Sequence, residues 1–327
     1  MIPKSMKAAV LTAFGAPEVV KIASRPAPKI SGNQVLVRNI ATSLNSGDVR
    51  IRSKNVPKGF KFLLSLVFGF KKPRKEVLGT VFAGEIVKTG ADVTSFSVGD
   101  LVFGSTEMGM ATHAEYVAIK DSKAIAPIPS GISPSDIASL VFGGSTAVYF
   151  LDKLKIEKGE RILINAAAGS VGIALVQIAA VLGAEVTAVA SAKNHAFLRA
   201  NGSTHTVDYT TTDLTKLAPK FDVIADCLGT MPYKRHRHLL TKTGRFALIS
   251  GTMGETLAAP FRNLFGSHAI IGGTSLATKK GLLELVKLIE DGTLRPVVDK
   301  EYPFKKITEA HGYVDRGHKR GNVVITF

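Results

Sequence analysis

The sequence predicts an α/β protein: a doubly wound parallel sheet carried on one chain with a smaller, β-rich unit. Three observations predict it. Residues 161–190 read as strand, glycine turn, helix and strand. The aliphatic run Ile162–Ile164 suits a buried parallel strand, Gly169 and Gly172 punctuate a small-residue turn, an apolar helical pattern runs to Gly183, and a second apolar run fills 186–190. From residue 137 onward, helical and strand patterns alternate, which implies βαβ crossovers and a parallel sheet. Before residue 120 the strands are short, closely spaced and separated by glycine turns, as in a small barrel or sandwich. At 327 residues the chain exceeds what one core normally serves, so two domains are expected.

Taken in order, Lys7–Leu11 and Gln34–Arg38 have strand character, with Gly15, Pro17, Pro26, Pro28 and Gly32 marking turns. Ala41–Ser53 reads as a polar segment leaving a strand. Asn45, Asp48 and Arg50 could face a site there, although Asp48 is more simply a helix N-terminal residue. Gly59–Phe70 is a short apolar stretch flanked by Lys58, Lys61, Lys71, Lys72, Arg74 and Lys75. Its phenylalanines are expected over a substrate cleft or at a subunit contact, with weak association of 58–75 with an anionic membrane surface as the lesser alternative. Leu78–Ala91, Phe96–Phe103 and Ala114–Ile119 continue the β-rich unit. A boundary falls near Ile125–Gly131, and Ser133-Pro-Ser-Asp136 has the form of a helix start. Beyond the glycine turn, strands are expected at His205–Asp208, Asp222–Asp226, Arg245–Ser250 and Ala269–Ile271. A helix at Lys279–Asp291 is stopped by Gly292, and Asn322–Phe327 forms a last strand. Such sheets bind ligands at the carboxyl ends of their strands, so Leu228, Gly229 and Ser250 are candidates for lining a cleft.

The glycine turn carries the chemistry. The usual G-x-G-x-x-G appears as Ala167-x-Gly169-x-x-Gly172, between a strand and a helix. Gly169 lets backbone approach a pyrophosphate, Gly172 lets helix and strand pack closely, and free amides at the helix start attract phosphates. A tight turn without ligand is the plainer alternative; the flanking strands favour the ligand. The end of the second strand bears on cofactor choice. An acid there would accept bonds from the ribose 2′-hydroxyl of NADH, but the chain reads Ala190-Ser191-Ala192-Lys193-Asn194. Ser191 can donate to a 2′-phosphate and Lys193 can neutralise it, which favours NADPH, with NADH weaker.

Composition bounds the rest. No segment reads as long enough to span a bilayer, and the first residues lack the pattern of a signal peptide. The single cysteine, Cys227, excludes an intrachain disulfide and suits a reducing, cytoplasmic compartment. The formal net charge of +16 suggests an anionic partner. The basic residues are nevertheless scattered, apart from Lys71–Lys75 and Lys234–His238, and there is no tryptophan for base stacking. No specific nucleic-acid partner is expected.

The order of these parts resembles the medium-chain dehydrogenase/reductase superfamily, specifically its zinc-independent quinone oxidoreductase branch. The resemblance rests on Gly79-x-x-x-Ala-Gly84, Val98-Gly-Asp-Leu-Val102, Ala114-Glu-Tyr-Val117, Gly143-Gly-Ser-Thr-Ala147, Asn165-Ala-Ala-Ala-Gly-Ser-Val-Gly172 and the Gly-x-Val-Val run at 321–324. It implies a GroES-like catalytic domain formed by 1–126 together with 297–327, and a Rossmann dinucleotide-binding domain at 127–296. It further implies that Ala168, Gly169, Ser170 and Val171 hold the pyrophosphate, and that Ser191, Lys193 and Tyr209 surround the adenosine 2′-phosphate. Asn45, Thr146 and Leu228 approach the nicotinamide half, and Asn322 of the last run joins the cofactor set. Zinc alcohol dehydrogenases of the same superfamily need two cysteines and a histidine for the catalytic metal and four cysteines for the structural one. With one cysteine, and Thr80 near where a Gly-His-Glu motif would begin, no zinc is expected. The chain departs from many quinone reductases at Arg50, where a tyrosine is common, and at Val81, where an acid is common.

These readings lead to an NADPH-dependent, metal-free reductase of quinones or α,β-unsaturated ketones and aldehydes, with Asn45 and Arg50 as catalytic candidates. Arginine can polarise a carbonyl but is no general acid near neutral pH, so water is expected to deliver the proton. The alternatives are a cofactor-binding sensor, scaffold or RNA-binding protein, and an enoyl thioester reductase. Members of the family are commonly dimers, and an edge strand near 268–274 is expected to pair across a two-fold axis.

Overall fold

The computed structural model describes residues 2–273 and 275–327. Its N-terminal half contains β1 (Ser5–Leu11), β2 (Val20–Pro26), β3 (Gln34–Leu44), helices α1 (Ser46–Ser53) and α2 (Phe60–Phe68), then β4 (Val81–Thr89), β5 (Leu101–Ser105), β6 (Tyr116–Lys120) and β7 (Ile125–Pro127). The long helix α3 (Pro134–Leu154) leads to β8 (Arg161–Asn165), α4 (Ser170–Val181), β9 (Glu185–Val189), α5 (His195–Ala200), β10 (His205–Val207) and β11 (Phe221–Asp226). Then follow α6 (Tyr233–His236), β12 (Leu240–Leu248), α7 (Met253–Phe265), β13 (Ala269–Ile271), α8 (Lys279–Glu290), β14 (Val298–Pro303), α9 (Ile307–Asp315) and β15 (Asn322–Thr326).

Strands β8–β13 form the doubly wound sheet, in spatial order β10-β9-β8-β11-β12-β13 with every pair parallel. The order reverses between β8 and β11, and a crevice outside the carboxyl ends opens at such a reversal. The other large sheet, GroES-like, runs β14-β15-β3-β4-β5-β7, with β6 also on β3. It is antiparallel except for β14 on β15. The first large sheet thus draws on residues 161–271, and the second on 34–127 and 298–326.

Helix α3 joins the two. Ser133 caps it by accepting from the Asp136 amide at 3.0 Å, as the sequence suggests. Ala41, Val81 and Phe103 of one sheet, Ile137, Val141 and Phe150 of α3, and Ile162, Ile164 and Leu175 of the other unit share one buried apolar cluster. By length and composition this helix would pass for a bilayer span, which the sequence reading overlooked. Its burial between the sheets instead makes it a core helix.

Two further differences have physical causes. β3 continues through Leu44 rather than giving way to a polar segment at 41, because Thr42 is buried and its Oγ1 donates to the Val81 carbonyl at 2.6 Å. Hydroxyls that satisfy themselves against a neighbouring strand behave as interior residues. In the 58–75 segment, only Phe68 of the phenylalanines is buried; Phe62 and Phe70 face outward, 67% and 52% exposed. The side that α2 turns inward carries Ser65, whose Oγ receives Lys54 Nζ at 3.3 Å.

Candidate active site

The glycine turn sits at the carboxyl end of β8. Ala167 N donates to Val189 O, and Ile173 N to Gly169 O, which starts α4. Gly169 is the N-cap and supplies no side-chain acceptor, so the first amides of α4 are left for an anion. A Cβ on Gly172 would lie 2.4 Å from Ala166 O and 2.7 Å from Ala167 Cα, so only glycine lets the helix pack this close. A Cβ on Gly169 would meet only Ala166 O, at 3.4 Å. The second unit closes over this loop from the other side: Gly321 N donates to Ala168 O at 2.7 Å, and Ser170 Oγ donates to Asn322 Oδ1 at 2.5 Å. Asn322 Nδ2 donates in turn to Val297 O. Ser170 and Asn322 therefore spend their side chains on each other, which leaves the Ser170 amide, at the start of α4, as that residue's free donor toward an anion. Ala168 is buried and Val171 half-buried beside them.

At the end of β9 the structure brings half-buried Ser191 and exposed Lys193 to one ledge, where Asn194 Nδ2 lies 3.3 Å from Ser191 Oγ. It adds a residue the sequence reading missed. Arg320 donates from Nε to Asn194 Oδ1 at 2.8 Å and from Nη2 to Lys193 O at 2.9 Å. A second cation thus stands on this ledge, one residue before the Gly321–Ala168 contact. Its signal in the sequence was its place next to the Gly-x-Val-Val run. Tyr209 is exposed just beyond β10, and the preceding Asp208 faces the same ledge. The Thr210 amide and hydroxyl hold the Asp208 carboxyl below the ordinary range, helped by the Ala192 amide and His195.

The ends of β11 and β12 form the opposite wall. Asp226 is buried and organises the turn after it. Its Oδ1 accepts from the Leu228 and Gly229 amides at 3.1 and 2.9 Å, its Oδ2 from Met231 N at 2.9 Å, and Asn165 Nδ2 of β8 donates to Oδ1 at 2.8 Å. Gly229 has φ 84° and touches the Ser250 carbonyl so closely that a Cβ would stand 2.3 Å away. Leu228 is left half exposed on this turn. Ser250 Oγ donates to Cys227 O at 3.0 Å and receives Arg50 Nη1 at 3.5 Å. Burial, with Asp226 beside it, pushes the Cys227 thiol far up, so it is no nucleophile.

Between the two units lies a cleft of about 100 Å³. Its walls are mostly apolar, with Ile51, Val81, Met110, Val141 and Phe142 among them, and it is also lined by Asn45, Ser145 and Thr146. Asn45 caps α1: its Oδ1 accepts from Gly47 and Asp48 N, while Asp48 Oδ2 accepts from Asn45 N at 3.0 Å. The role read for Asp48 as a helix N-terminal residue is thus observed. The cap fixes Asn45 with Nδ2 buried and unpartnered, and Ser145 Oγ is likewise buried without a partner. Both residues line the cleft, and each carries a donor that nothing among the described residues satisfies. Ser145 lies inside the quoted Gly143–Ala147 motif but was not singled out. Thr146 spends its hydroxyl on Phe142 O at 2.8 Å. Arg50, the other catalytic candidate, is not among the cleft-lining residues. It leaves toward Ser250, and burial lowers its pKa from the usual guanidinium value.

Behind the cleft, Asp48 Oδ1 accepts from Gly79 N at 3.1 Å, and His113 lies close enough to act on Asp48 electrostatically. Burial raises the Asp48 carboxyl, and His113 and the two amides partly offset this. Burial depresses His113, with Asp48 opposing; it depresses His311 further, with His113 and Arg52 adding to the shift. The two imidazoles meet edge to face at 6.0 Å.

A zinc centre does not fit this donor set. Thiolate or imidazole ligands would be needed, yet the cleft offers hydroxyls, a carboxamide and two carboxylates. Asp48 is committed to two amides, and Glu107 Oε1 to Ala277 N at 2.8 Å. Among the described residues no group of three His, Cys, Asp or Glu side chains converges. A dinucleotide does fit: the uncapped α4 start, the cationic ledge and the crevice follow one another along the carboxyl edge.

Residues 31–130 match the alcohol dehydrogenase GroES-like domain family, and 201–325 the zinc-binding dehydrogenase family. The chain is 29% identical to the 2-methylene-furan-3-one reductase of Solanum lycopersicum, across 99% of its own length and 80% of that protein's. The same figures hold for the chloroplastic NADPH-dependent alkenal/one oxidoreductase of Arabidopsis thaliana. Among solved structures, the quinone oxidoreductase from Coxiella burnetii superposes with a TM-score of 0.87 at 28% identity, over 99% of this chain and all of that one.

Proposed function

We propose that the chain is a member of the medium-chain dehydrogenase/reductase superfamily and, within it, a metal-independent, NADPH-dependent reductase of quinones or α,β-unsaturated ketones and aldehydes. The observation that carries this reading is the pair of unsatisfied donors, Asn45 Nδ2 and Ser145 Oγ, in a mostly apolar cleft beside the strand ends. Such donors are costly to bury for nothing and valuable against an oxygen that gains charge. Bound NADPH supplies the hydride. The α4 amides hold the pyrophosphate, and Ser191, Lys193 and Arg320 take the 2′-phosphate. Asn45 and Ser145 donate to the substrate oxygen as it becomes enolate or quinol oxygen. An enone would accept the hydride at its β-carbon and then a proton at its α-carbon. The two carboxylates at the cleft are occupied by amides, so water delivers that proton. We assign dimerisation to the β13 edge; of the predicted 268–274 segment, Thr274 lies outside the described residues and the strand itself is Ala269–Ile271. The single half-buried cysteine suits a cytoplasmic location.

NADPH absorbance loss with a panel of quinones, enones and enals tests the reading. Turnover of at least one class, lowered about 10²–10³-fold in N45D, is expected. Tight NADPH binding with no turnover across the panel would leave a cofactor-binding protein without this chemistry and overturn it.

A further inference from the structure

The 58–75 segment and α7 present apolar surface that the reductase reading leaves unused. On α2 the outward residues are Phe62, Leu63, Leu66 and Val67, and Phe70 follows at the same spacing. On α7 they are Leu257, Phe261 and Leu264, between 66% and 74% exposed and spaced as one helical stripe. The two helices set out from one point. Met253 N donates to Lys58 O at 3.2 Å, and a Cβ on Gly59 would touch Met253 Cβ. Two unpartnered stripes that begin side by side, each with outward phenylalanine, exceed the scattered apolar exposure of an ordinary surface.

Charge decides what covers them. From Val49 to Lys75 the sequence contains no acid and nine Lys or Arg. Of these, Lys58, Lys61, Lys71, Lys72 and Arg74 are exposed around the α2 stripe. The acid of α7, Glu255, is spent in the capping box with Thr252. A second copy docking here about a two-fold axis would bring this cationic rim against itself. An anionic bilayer surface meets both demands at once, with headgroups for the lysines and the acyl boundary for the aromatic residues.

We propose that the α2–α7 face docks the protein onto anionic lipid bilayers, with Phe62 and Phe261 entering the acyl boundary and Lys58, Lys61, Lys71, Lys72 and Arg74 contacting headgroups. This docking is independent of the reductase reading, since no residue of either stripe lines the cleft. The test is co-sedimentation of the full chain with vesicles of phosphatidylcholine, alone or mixed with phosphatidylglycerol. The wild type is expected to sediment with the mixed vesicles, to stay in solution with the neutral ones, and to be released by high salt. F62S/F261S should abolish sedimentation while leaving NADPH binding unchanged, and K71Q/K72Q should weaken it by about fivefold per charge removed. No sedimentation with either vesicle overturns the proposal. Undiminished sedimentation of F62S/F261S also overturns it, because adsorption would then be purely electrostatic. So does a wild-type dimer that light scattering shows F62S/F261S to split, because the face would then belong to a second copy. Salt-sensitive RNA binding by the wild type, with no vesicle binding, would reassign the basic rim and overturn it as well.

Discussion

The two ends of the cofactor crevice are built on opposite principles. At the proposed adenosine end, Lys193 and Arg320 stand in solvent beside half-buried Ser191 and would recognise by charge. At the proposed nicotinamide end, Asn45 and Ser145 are buried, uncharged and unpartnered among the described residues, and would act by being held in place. An exposed cation is screened and mobile, so its contribution is modest and adds roughly site by site. A buried donor with no competitor acts in a low dielectric, where the same hydrogen bond is worth more. The difference implies that affinity is set at one end and rate at the other.

The sharpest way to break this division is N45D. Aspartate keeps the oxygen that caps α1 but replaces the free Nδ2 donor with an acceptor. It should lower kcat about 10²–10³-fold, the range for loss of one oxyanion donor, with NADPH affinity nearly unchanged. Stopped-flow hydride transfer beside fluorescence titration of NADPH separates the two; a matching loss of affinity would erase the contrast. K193E and R320E should do the reverse, each weakening NADPH binding by about tenfold or more through loss of a charge-assisted bond. NADH binding and kcat should change little. If K193E binds NADPH as the wild type does, the ledge is only a solvated surface.

Acid should act on the buried end first. His113 and His311 are neutral in the fold because burial depresses both, and the unfolded chain titrates them near 6.5. Above that pH neither state binds the protons. As pH falls through it, the unfolded chain takes up to two more protons than the fold, and stability declines. Asp48, whose carboxyl is raised by burial, opposes this by at most one proton at more acid pH. Chemical denaturation between pH 8 and 5 should show the decline, and H311Q should remove about half of it. An equal slope in H311Q would mean that His311 is not the neutral buried group. The smallest effect belongs to Asp208, the half-buried acid beside the ledge. D208N should strengthen NADPH binding by up to about fivefold, as removal of one like charge allows. Weakened binding would show that Asp208 instead orders the loop.

How far each end was legible in the sequence follows the same line. The Ala166–Gly172 turn, Ser191 and Lys193 belong to one βαβ unit, so spacing alone put them together. Asn45 was visible as a polar residue after a strand, but its free donor exists only because the capping box fixes the side chain. Ser145 looked like a small residue on an apolar helix; it matters because the cleft opens against that turn of α3. Arg320 lies 126 residues from Asn194, and no local pattern carries such a distance. The outward phenylalanine of α2 shows the limit of periodicity. Spacing reports that a helix has an apolar side, and only the packed fold shows that this side faces out.

One consequence of the sheet order concerns synthesis. β15 lies between β14 and β3, with Val323 opposite Leu44, so a central strand of the GroES-like sheet is made after every other strand. The sheet of β8–β13 has all its strands once residue 271 has emerged, and it can close while translation continues. The segment that carries Asn45 must wait, with residues 41–44 of β3 unpaired on that side, for a strand made nearly 280 residues later. A nascent chain stalled before residue 322 should therefore resist protease across its middle third and be cut readily near β3.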